Sequence, residues 1–248
     1  MSIRVIINGA CGRMGHVLAR TIEAAPDMET AALVDPGAPE AAADVYHSLT
    51  DYQGPADCVI DFSNHAGVGT LLSYCEDRQL PLILCTTGFT ADELQMIRDA
   101  SARIPLFRSA NMSLGVALTA RLVQEAAAKF LGSDIEILEI HHNRKADAPS
   151  GTALMLAEAA QKSRPDAEII TGRSGHHVRE KNEIGVASLR MGNIVGTHEV
   201  CLSTDTETIT IRHEAHDRAL FADGAVSAAR FMIGKPAGMY NMEDLLAE

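Results

Sequence analysis

The chain has 248 residues, 46% of them apolar and 4% aromatic, and no tryptophan. This length buries a substantial core in one or two domains, and the abundance of Ala, Leu, Ile and Val favours a layered α/β protein over a β-sandwich. The formal net charge of −12, from 33 acidic and 21 basic residues, argues against nucleic acid as a partner.

The apolar runs and the first residues predict a soluble cytoplasmic protein. No run approaches the roughly 18 apolar residues of a membrane span, and the first four residues lead into a predicted strand instead of a signal peptide. We therefore expect no membrane partner. The five cysteines are odd in number and lack C-x-x-C spacing, which argues against a disulfide framework or a zinc site.

A glycine-rich turn follows the first predicted strand. The apolar run Ile3–Ile7 predicts that strand, and a helical pattern continues to about Ala24. Between them, Gly9 permits a tight turn, Gly12 lets the backbone approach a pyrophosphate, and Gly15 lets the helix lie close to the strand. The order of strand, glycine loop and helix predicts dinucleotide binding. The spacing G-x-x-G-x-x-G is not the commoner G-x-G-x-x-G, so a purely structural turn is the alternative.

Asp35 stands twenty residues beyond Gly15, at the end of a second apolar run, Ala31–Val34. A carboxylate at this place accepts hydrogen bonds from the hydroxyl groups of the adenosine ribose. The alternative interpretation is an ordinary surface carboxylate. We predict that Asp35 binds the ribose.

Alternation of strands and helices continues through the first 112 residues and predicts a doubly wound sheet. The predicted strands are Cys58–Phe62, Leu80–Leu84 and Ile104–Phe107, with helices to about Cys75 and over Ala91–Ala102. Ligands of such sheets collect at the carboxyl ends of the strands. Polar residues that follow these strand ends, here called polar tips, should lie beside the glycine loop. The alternative is that they are ordinary turn residues without a ligand. These tips are Ser63-Asn64, Thr86-Thr87 and Ser109-Ala110-Asn111.

The pattern changes after a boundary near Ser113. A long helical stretch, Leu114–Leu131, is followed by strands, several of them alternating with period two, and one clear helix. The predicted strands are Ile135–Ile140, Ile184–Arg190, Asn193–Val195, Glu199–Ser203 and Thr206–Arg212. We predict a second domain with a mixed or antiparallel sheet. A C-terminal helix, about Ala219–Ile233, is apolar enough to pack back onto the first domain.

The segment Glu139–Thr152 connects one of these strands to the helix that runs from Thr152 to about Lys162. It contains two histidines, Arg144, Lys145 and a helix-opening Ser-Gly-Thr sequence in a chain with only five lysines. Unpaired N–H groups and the helix dipole make a helix start a binding site for anions. The segment therefore predicts an anion site with proton donors. The alternative is a solvated loop in which Ser150 is only a helix cap.

Five motifs make the chain resemble the 4-hydroxy-tetrahydrodipicolinate reductase family over nearly its whole length. They are GACGRMG from Gly9, CTTGF from Cys85, SANMSLGV from Ser109, HHNRKADAPSGTA from His141 and IRHEAHDRALFADGA from Ile211. The HHNRKADAPSGTA string is highly specific to that family. Cys11 and Cys85 replace frequent glycines, and Met112 replaces a frequent phenylalanine.

The resemblance implies a fold of class α/β with two domains. Residues 1–112 would form a Rossmann-like dinucleotide-binding domain, with about 219–248 packing back on it. Residues 113–218 would form an α+β domain with a mixed sheet, which binds substrate and assembles a homotetramer. The implied activity is reduction of 4-hydroxy-tetrahydrodipicolinate, a small dicarboxylate, by NADH or NADPH in diaminopimelate and lysine biosynthesis.

The resemblance also implies roles for individual residues, and it requires no metal. His141 would donate or accept a proton and Lys145 would donate one, as the catalytic residues. The residues implied to bind substrate carboxylates are His142, Ser150, Gly151 and Thr152. The residues implied to line the cofactor are Gly9, Ala10, Cys11, Gly12, Arg13, Met14, Asp35, Cys85, Thr86, Thr87, Ser109, Ala110, Asn111 and Met112.

The charges around Asp35 predict that NADH is used at least as well as NADPH. A 2′-phosphate requires a cation near the end of the second strand, where relatives that use both cofactors often have Arg after the acidic residue. Here that neighbour is Pro36, and no Lys or Arg lies between Arg20 and Arg78. The acidic residues of the interval include Asp35, Glu40 and Asp44. Arg13 is the alternative partner for a 2′-phosphate.

Two other classes of function remain open. A nonenzymatic dinucleotide sensor would use the glycine loop but has no need of His141 and Lys145 in one loop. A metal-dependent hydrolase would use histidines as ligands, but adjacent histidines rarely converge on one ion and no H-E-x-x-H spacing occurs. The histidines considered for that role are His141, His142, His176 and His177.

Overall fold

The computed structural model describes residues 2–39, 42 and 44–248. The chain divides into two compact units: a first unit of residues 1–113 and 219–248, and a second unit of residues 114–218. Among the described residues, no helix is both long enough and apolar enough to cross a membrane.

The regular elements follow one another in this order along the chain. The strands are β1 (Ile3–Asn8), β2 (Met28–Val34), β3 (Val45–Tyr46), β4 (Cys58–Asp61), β5 (Leu82–Leu84), β6 (Pro105–Arg108), β7 (Asp134–His141), β8 (Glu168–Thr171), β9 (Glu183–Arg190), β10 (Gly196–Ser203), β11 (Thr208–Ala215) and β12 (Gly238–Tyr240). The helices are α1 (Arg13–Glu23), α2 (Val68–Arg78), α3 (Ala91–Ser101), α4 (Leu114–Lys129), α5 (Gly151–Ser163), α6 (Ala219–Met232) and α7 (Met242–Leu245).

A seven-stranded parallel sheet forms the first unit. Its strand order is β12-β6-β5-β4-β1-β2-β3, so β1 is flanked by β2 on one side and β4 on the other. The chain therefore changes direction across the sheet at β1, and ligands of doubly wound folds bind at such a switch point. This sheet confirms the predicted Rossmann-like fold of the N-terminal part.

The first unit is completed by the C-terminal helix α6, which contacts α1 and β6. Gly224 in α6 is the point of closest approach, because a Cβ there would lie 1.6 Å from the carbonyl oxygen of Met112. Only glycine fits at that distance. Helix α6 therefore packs directly against the segment that follows β6.

The second unit has a five-stranded mixed sheet in the order β11-β10-β7-β9-β8. Strand β9 runs parallel to β7 and to β8, whereas β10 runs antiparallel to both β7 and β11. Helices α4 and α5 pack against each other and cover the sheet with an apolar core that includes Ile135, Ile137, Leu156, Val200 and Leu202. The predicted mixed sheet is confirmed.

The predicted strand Asn193–Val195 is wrong. These residues form the turn between β9 and β10, where Gly192 has a φ of +53° that a strand does not allow. The carbonyl oxygens of Gly192 and Ile194 accept hydrogen bonds from the N–H groups of Asn143 and His142. The apolar residues Ile194 and Val195 are typical of a strand, but here this turn accepts hydrogen bonds from the loop after β7. The short strands β3, β8 and β12 were not predicted.

Candidate active site

The glycine loop of the first unit has the geometry that its sequence predicts. Gly9 has a φ of +83°, and a Cβ there would lie 2.5 Å from the carbonyl oxygen of Phe62. A Cβ on Gly15 would lie 2.2 Å from the carbonyl oxygen of Gly9, so the first turn of α1 packs directly on the loop. Both positions therefore require glycine.

The start of α1 is suited to an anion. Gly12 is the N-cap residue, and no side-chain hydrogen bond caps this helix among the described residues. Gly12 and Arg13 are exposed, and a Cβ on Gly12 would meet only the carbonyl oxygen of Gly9, at 3.2 Å. Open N–H groups at the positive end of a helix dipole fit a pyrophosphate.

Asp35 connects the end of β2 to the glycine loop. Its Oδ2 accepts a hydrogen bond from the N–H of Cys11 at 2.9 Å, and its Oδ1 accepts one from the N–H of Gly37 at 2.8 Å. These two bonds fix the plane of the half-buried carboxylate. Each oxygen keeps further acceptor capacity, which suits it to ribose hydroxyl groups.

The polar tips after β5 and β6 lie at the same edge of the sheet as the glycine loop. Cys85 and Thr86 are buried and Thr87 is exposed, and burial raises the pKa of the Cys85 thiol well above its usual value. After β6, Ser109 Oγ donates to the carbonyl oxygen of Asn111 at 2.7 Å. The structure therefore brings the predicted cofactor-lining residues together at one edge of the parallel sheet.

A buried network beside this edge was not predicted. Asp61, at the end of β4, is 1% exposed and accepts hydrogen bonds from Asn8 Nδ2 at 2.7 Å and Ser63 Oγ at 2.6 Å. Burial raises the pKa of Asp61, although both hydrogen bonds lower it. The network joins the carboxyl ends of β1 and β4, the two strands at the switch point.

Glu139 is the centre of the site in the second unit. Its side chain is 0% exposed, and both of its oxygens accept hydrogen bonds. Oε2 accepts from His141 Nδ1 at 2.5 Å and from Arg190 Nη1 at 2.9 Å. Oε1 accepts from Arg190 Nη2 at 2.7 Å and from the N–H of Ser150 at 3.1 Å. One carboxylate thus orients the histidine, the arginine and the start of α5.

The charge of Glu139 follows from these partners. Burial alone raises the pKa of a carboxyl group, but hydrogen bonds from Arg190, Ser188 and His141 outweigh it and lower the pKa of Glu139 to about 2. Glu139 is therefore ionised at neutral pH. An ionised acceptor at Nδ1 of His141 requires a hydrogen on that nitrogen, so Nε2 is the ring nitrogen left for other partners.

His141 and Lys145 lie at the end of β7 and in the following loop. Room beside His141 Nε2 is provided by Gly196, where a Cβ would lie 3.0 Å away. Lys145 Nζ forms a 2.8 Å ion pair with Asp147 Oδ1, which lowers the pKa of Asp147. The loop is anchored by Arg190 Nη2, which donates to the carbonyl oxygen of Asp147 at 2.7 Å.

The predicted substrate-binding residues lie at the start of α5 and in the loop before it. Ser150 is 2% exposed and caps the helix, because its Oγ accepts from the N–H of Ala153 at 3.2 Å. Gly151 is exposed, and a Cβ there would meet no atom within 4 Å. His142 and Thr152 are half-buried. The open side of this helix start is therefore at Gly151.

Four residues of this site escaped prediction: Glu139, Arg190, Gly196 and His198. The alternation of β7 contains a signal for the first, because Glu139 occupies an inward position of the strand. A buried carboxylate needs a charged or hydrogen-bonding partner, so this position predicts an arginine or histidine on a neighbouring strand. The described residues contain no cluster of three or more His, Cys, Asp or Glu side chains that could hold a metal ion.

Comparisons with known proteins cover the whole chain. A family model described as dihydrodipicolinate reductase, N-terminus, matches residues 3–112, and one described as dihydrodipicolinate reductase, C-terminus, matches residues 115–246. A 4-hydroxy-tetrahydrodipicolinate reductase of Caldanaerobacter subterraneus subsp. tengcongensis is 45% identical over 99% of both chains. Another, of Clostridium tetani, is 42% identical over 99% of this chain and 98% of the relative.

Solved structures share the fold. A dipicolinate-bound dihydrodipicolinate reductase from Paenisporosarcina sp. TG-14 matches with a TM-score of 0.81 and 24% identity, over 97% of this chain and 98% of that chain. A myo-inositol dehydrogenase from Lactobacillus casei, solved with NAD(H) and myo-inositol, matches with a TM-score of 0.61 and 16% identity, over 99% and 91%.

Proposed function

The chain belongs to the dihydrodipicolinate reductase family and is thus an oxidoreductase of diaminopimelate and lysine biosynthesis, and we propose how its residues perform the reaction. The substrate is 4-hydroxy-tetrahydrodipicolinate, a cyclic imine with two carboxylates, which loses its hydroxyl group as water. The observation that carries the assignment of residues is the buried Glu139, which binds His141 and the start of α5 at once.

The first unit holds the dinucleotide. Its pyrophosphate would lie against the N–H groups of the first turn of α1, which begins at Arg13, and Asp35 would accept hydrogen bonds from the adenosine ribose. The tips after β5 and β6 would contact the remaining part of the cofactor. When bound, the nicotinamide supplies a hydride.

The second unit holds the substrate. One carboxylate would approach the start of α5 at Gly151, where backbone N–H groups and the helix dipole favour an anion and no side chain blocks the approach. Thr152 would add a hydrogen bond from its hydroxyl group, and His142 would contact a carboxylate from the preceding loop. Lys145 supplies positive charge beside the same loop.

His141 and Lys145 provide the proton. Addition of hydride to the conjugated C=C–C=N system moves negative charge toward the ring nitrogen, which a cationic donor stabilises and then protonates. Glu139 fixes the orientation of His141 through Nδ1, so that Nε2 is presented beside Gly196. Asp147 holds Lys145 by an ion pair, which keeps the amine in the loop until substrate binds.

A coupled assay tests the proposed function. A dihydrodipicolinate synthase supplies the substrate, and absorbance reports oxidation of NADH or NADPH. We expect oxidation that requires both the synthase and this protein, and competitive inhibition by pyridine-2,6-dicarboxylate, a planar dianion resembling the substrate. Absence of turnover with either cofactor would contradict the proposal and favour a dinucleotide sensor.

We further propose that NADH is used at least as well as NADPH. Asp35 lies beside the glycine loop, and the residues after it that the structure describes, Pro36 to Pro39, include no cation. Glu40, which also entered this prediction, lies outside the described residues. Measured kcat/KM values decide the point: a preference for NADPH of about tenfold, or ~1.4 kcal/mol, would contradict it and indicate Arg13 as the phosphate partner.

The assembly and location of the protein are also proposals. We propose a homotetramer formed through the sheet of the second unit, supported by the exposed Leu189 beside Ile140 on the face turned away from α4 and α5. Sedimentation analysis measures the oligomeric state, and a monomer would contradict this. Cell fractionation followed by the coupled assay tests the proposed cytoplasmic location.

A further inference from the structure

His198 is a buried histidine that the mechanism above does not use. It lies on β10 directly between Glu139 of β7 and His213 of β11, and it is 4% exposed. The edge of its ring contacts the His141 ring, with 5.1 Å between the ring centroids at an interplanar angle of 72°. Its Nε2 lies 3.2 Å from Ser150 Oγ. His198 therefore contacts both the proton donor and the cap of α5.

The direction of this hydrogen bond depends on the tautomer of the His198 ring. Ser150 Oγ accepts from the N–H of Ala153 and can donate its own hydrogen to Nε2 of His198. For Nε2 to accept, the ring must be neutral with its hydrogen on Nδ1. That Nδ1 is buried and has no hydrogen-bond partner among the described residues.

The surroundings keep His198 neutral. Burial, together with positive charge on His141, His213 and Lys145, lowers the pKa of His198 to about 4, although Glu139 acts in the opposite direction. These four groups come from both neighbouring strands and from the loop before α5. At neutral pH, His198 is therefore uncharged, and its Nε2 can accept the hydrogen bond from Ser150.

We propose that His198 is a positioning residue, which holds the α5 start in one fixed geometry relative to His141 by accepting the Ser150 hydroxyl hydrogen bond. This inference rests on the proposed function of His141 and of the helix start. The substrate spans both groups, since a carboxylate binds at Gly151 and the reacting ring lies at His141. A shift of either group would weaken substrate binding and proton transfer together.

The test compares His198→Phe with His198→Gln. Phenylalanine keeps a planar ring but has no acceptor, whereas the glutamine amide oxygen takes the place of Nε2. For His198→Phe we expect about a fivefold rise in the KM for substrate and in the inhibition constant of pyridine-2,6-dicarboxylate, with a lower kcat. For His198→Gln the inhibition constant should recover to within about twofold of wild type. The KM for NADH should be unchanged in both.

The matched control is His213→Phe, the same change at the residue of β11 that pairs with His198. Among the described residues, no hydrogen bond joins His213 to Ser150, so its replacement should leave the inhibition constant near the wild-type value. An equal rise in His213→Phe, or an equal rise in the KM for NADH, would indicate a general loss of packing and overturn the proposal.

A double-mutant cycle with Ser150→Ala isolates the hydrogen bond. Ser150→Ala should raise the inhibition constant by a factor close to that of His198→Phe, and the double variant should add little. Factors that multiply would overturn the proposal. If His198→Phe does not fold, His198→Asn replaces it, because its shorter amide does not reach Ser150.

The proposed function and this inference fail in different ways. Absence of turnover by the wild-type enzyme would overturn the proposed function and, with it, the role of His198. Normal wild-type turnover with an unchanged inhibition constant in His198→Phe, or in its replacement His198→Asn, would overturn the role of His198 alone.

Discussion

At the scale of single residues, we propose that His141 and Lys145 act on the substrate side of the reaction. His141→Ala and Lys145→Ala should each lower kcat by about 10²–10⁴, the usual loss when a positioned proton donor is removed. The KM for NADH should stay within about twofold, because the proposed cofactor residues belong to the first unit. Steady-state kinetics measure both constants.

The controls for these variants are exposed residues of the same types. His176→Ala and Lys129→Ala should retain wild-type kinetics, since both side chains are exposed in the second unit. Wild-type turnover in both His141→Ala and Lys145→Ala would remove them from the mechanism.

The substitution Gly151→Ala tests ligand binding separately from folding, because it adds a single methyl group. A Cβ at this position meets nothing within 4 Å, and alanine is the better helix former, so Gly151→Ala should be as stable as wild type or slightly more. The methyl group would nevertheless lie where we propose that the substrate carboxylate approaches. We expect about a tenfold rise in the inhibition constant of pyridine-2,6-dicarboxylate, or ~1.4 kcal/mol.

Gly67→Ala is the control for this change, because a Cβ on that exposed glycine also meets nothing within 4 Å. It should change neither stability nor inhibition. If Gly151→Ala binds the inhibitor as wild type does, the carboxylates bind elsewhere.

At the scale of elements, the pair of Glu139 and Arg190 joins β7 to β9 and anchors the loop between β7 and α5. Arg190→Met would leave the buried carboxylate of Glu139 without its bidentate partner. We expect the free energy of unfolding to fall by about 3 kcal/mol, as when one member of a buried ion pair is removed. Urea denaturation at one fixed protein concentration measures this loss.

Arg103→Met is the comparison for a surface pair, because Arg103 is 55% exposed where it contacts Glu76. It should cost less than about 1 kcal/mol. Equal losses in the two variants would show that burial of Glu139 does not determine the energy of its pair.

The sequence alone predicts some of these elements and contacts but not others. Strand β1, the glycine loop and α1 could be predicted because an apolar run and three glycines are adjacent in the chain. Arg190 could not, because its partnership with Glu139 spans 51 residues and depends on the register of β7 with β9. The strand β12 escaped prediction because its three residues become a strand only by pairing with β6.

The alternation along strand β7 places two ionisable residues on its buried face. Its inward positions are Ile135, Ile137, Glu139 and His141, so the buried face changes from apolar to charged within one strand. The partners of Glu139 and His141 come from β9, β10 and the start of α5. Their identity required the sheet order, which periodicity along one strand does not contain.

At the scale of the whole molecule, His198 makes stability depend on pH. The folded pKa of about 4 lies below the usual 6.5, so between these values the unfolded chain binds a proton that the native protein does not. Stability is therefore full above pH 6.5 and falls as the pH falls. His198 alone should contribute a loss of about 2 kcal/mol between pH 7 and pH 5.

Urea denaturation at these two pH values measures the loss, and His198→Gln should reduce it by about that amount. His176→Gln, which replaces an exposed histidine, should leave the pH dependence as in wild type. The carboxyl of Glu139, with a pKa of about 2, loses its contribution only as the pH falls below 4.5. An unchanged slope in His198→Gln would contradict the assignment.

The close packing of Gly224 on Met112 has a consequence for when the first unit can finish folding during translation. The first unit contains residues from both ends of the chain, whereas the second unit is one continuous segment. During translation, the whole second unit is synthesised before α6 and β12. Until then the nascent parallel sheet ends at β6, whose outer edge has no neighbour, and the segment after β6 has no helix against it. The first unit therefore begins first and is completed last.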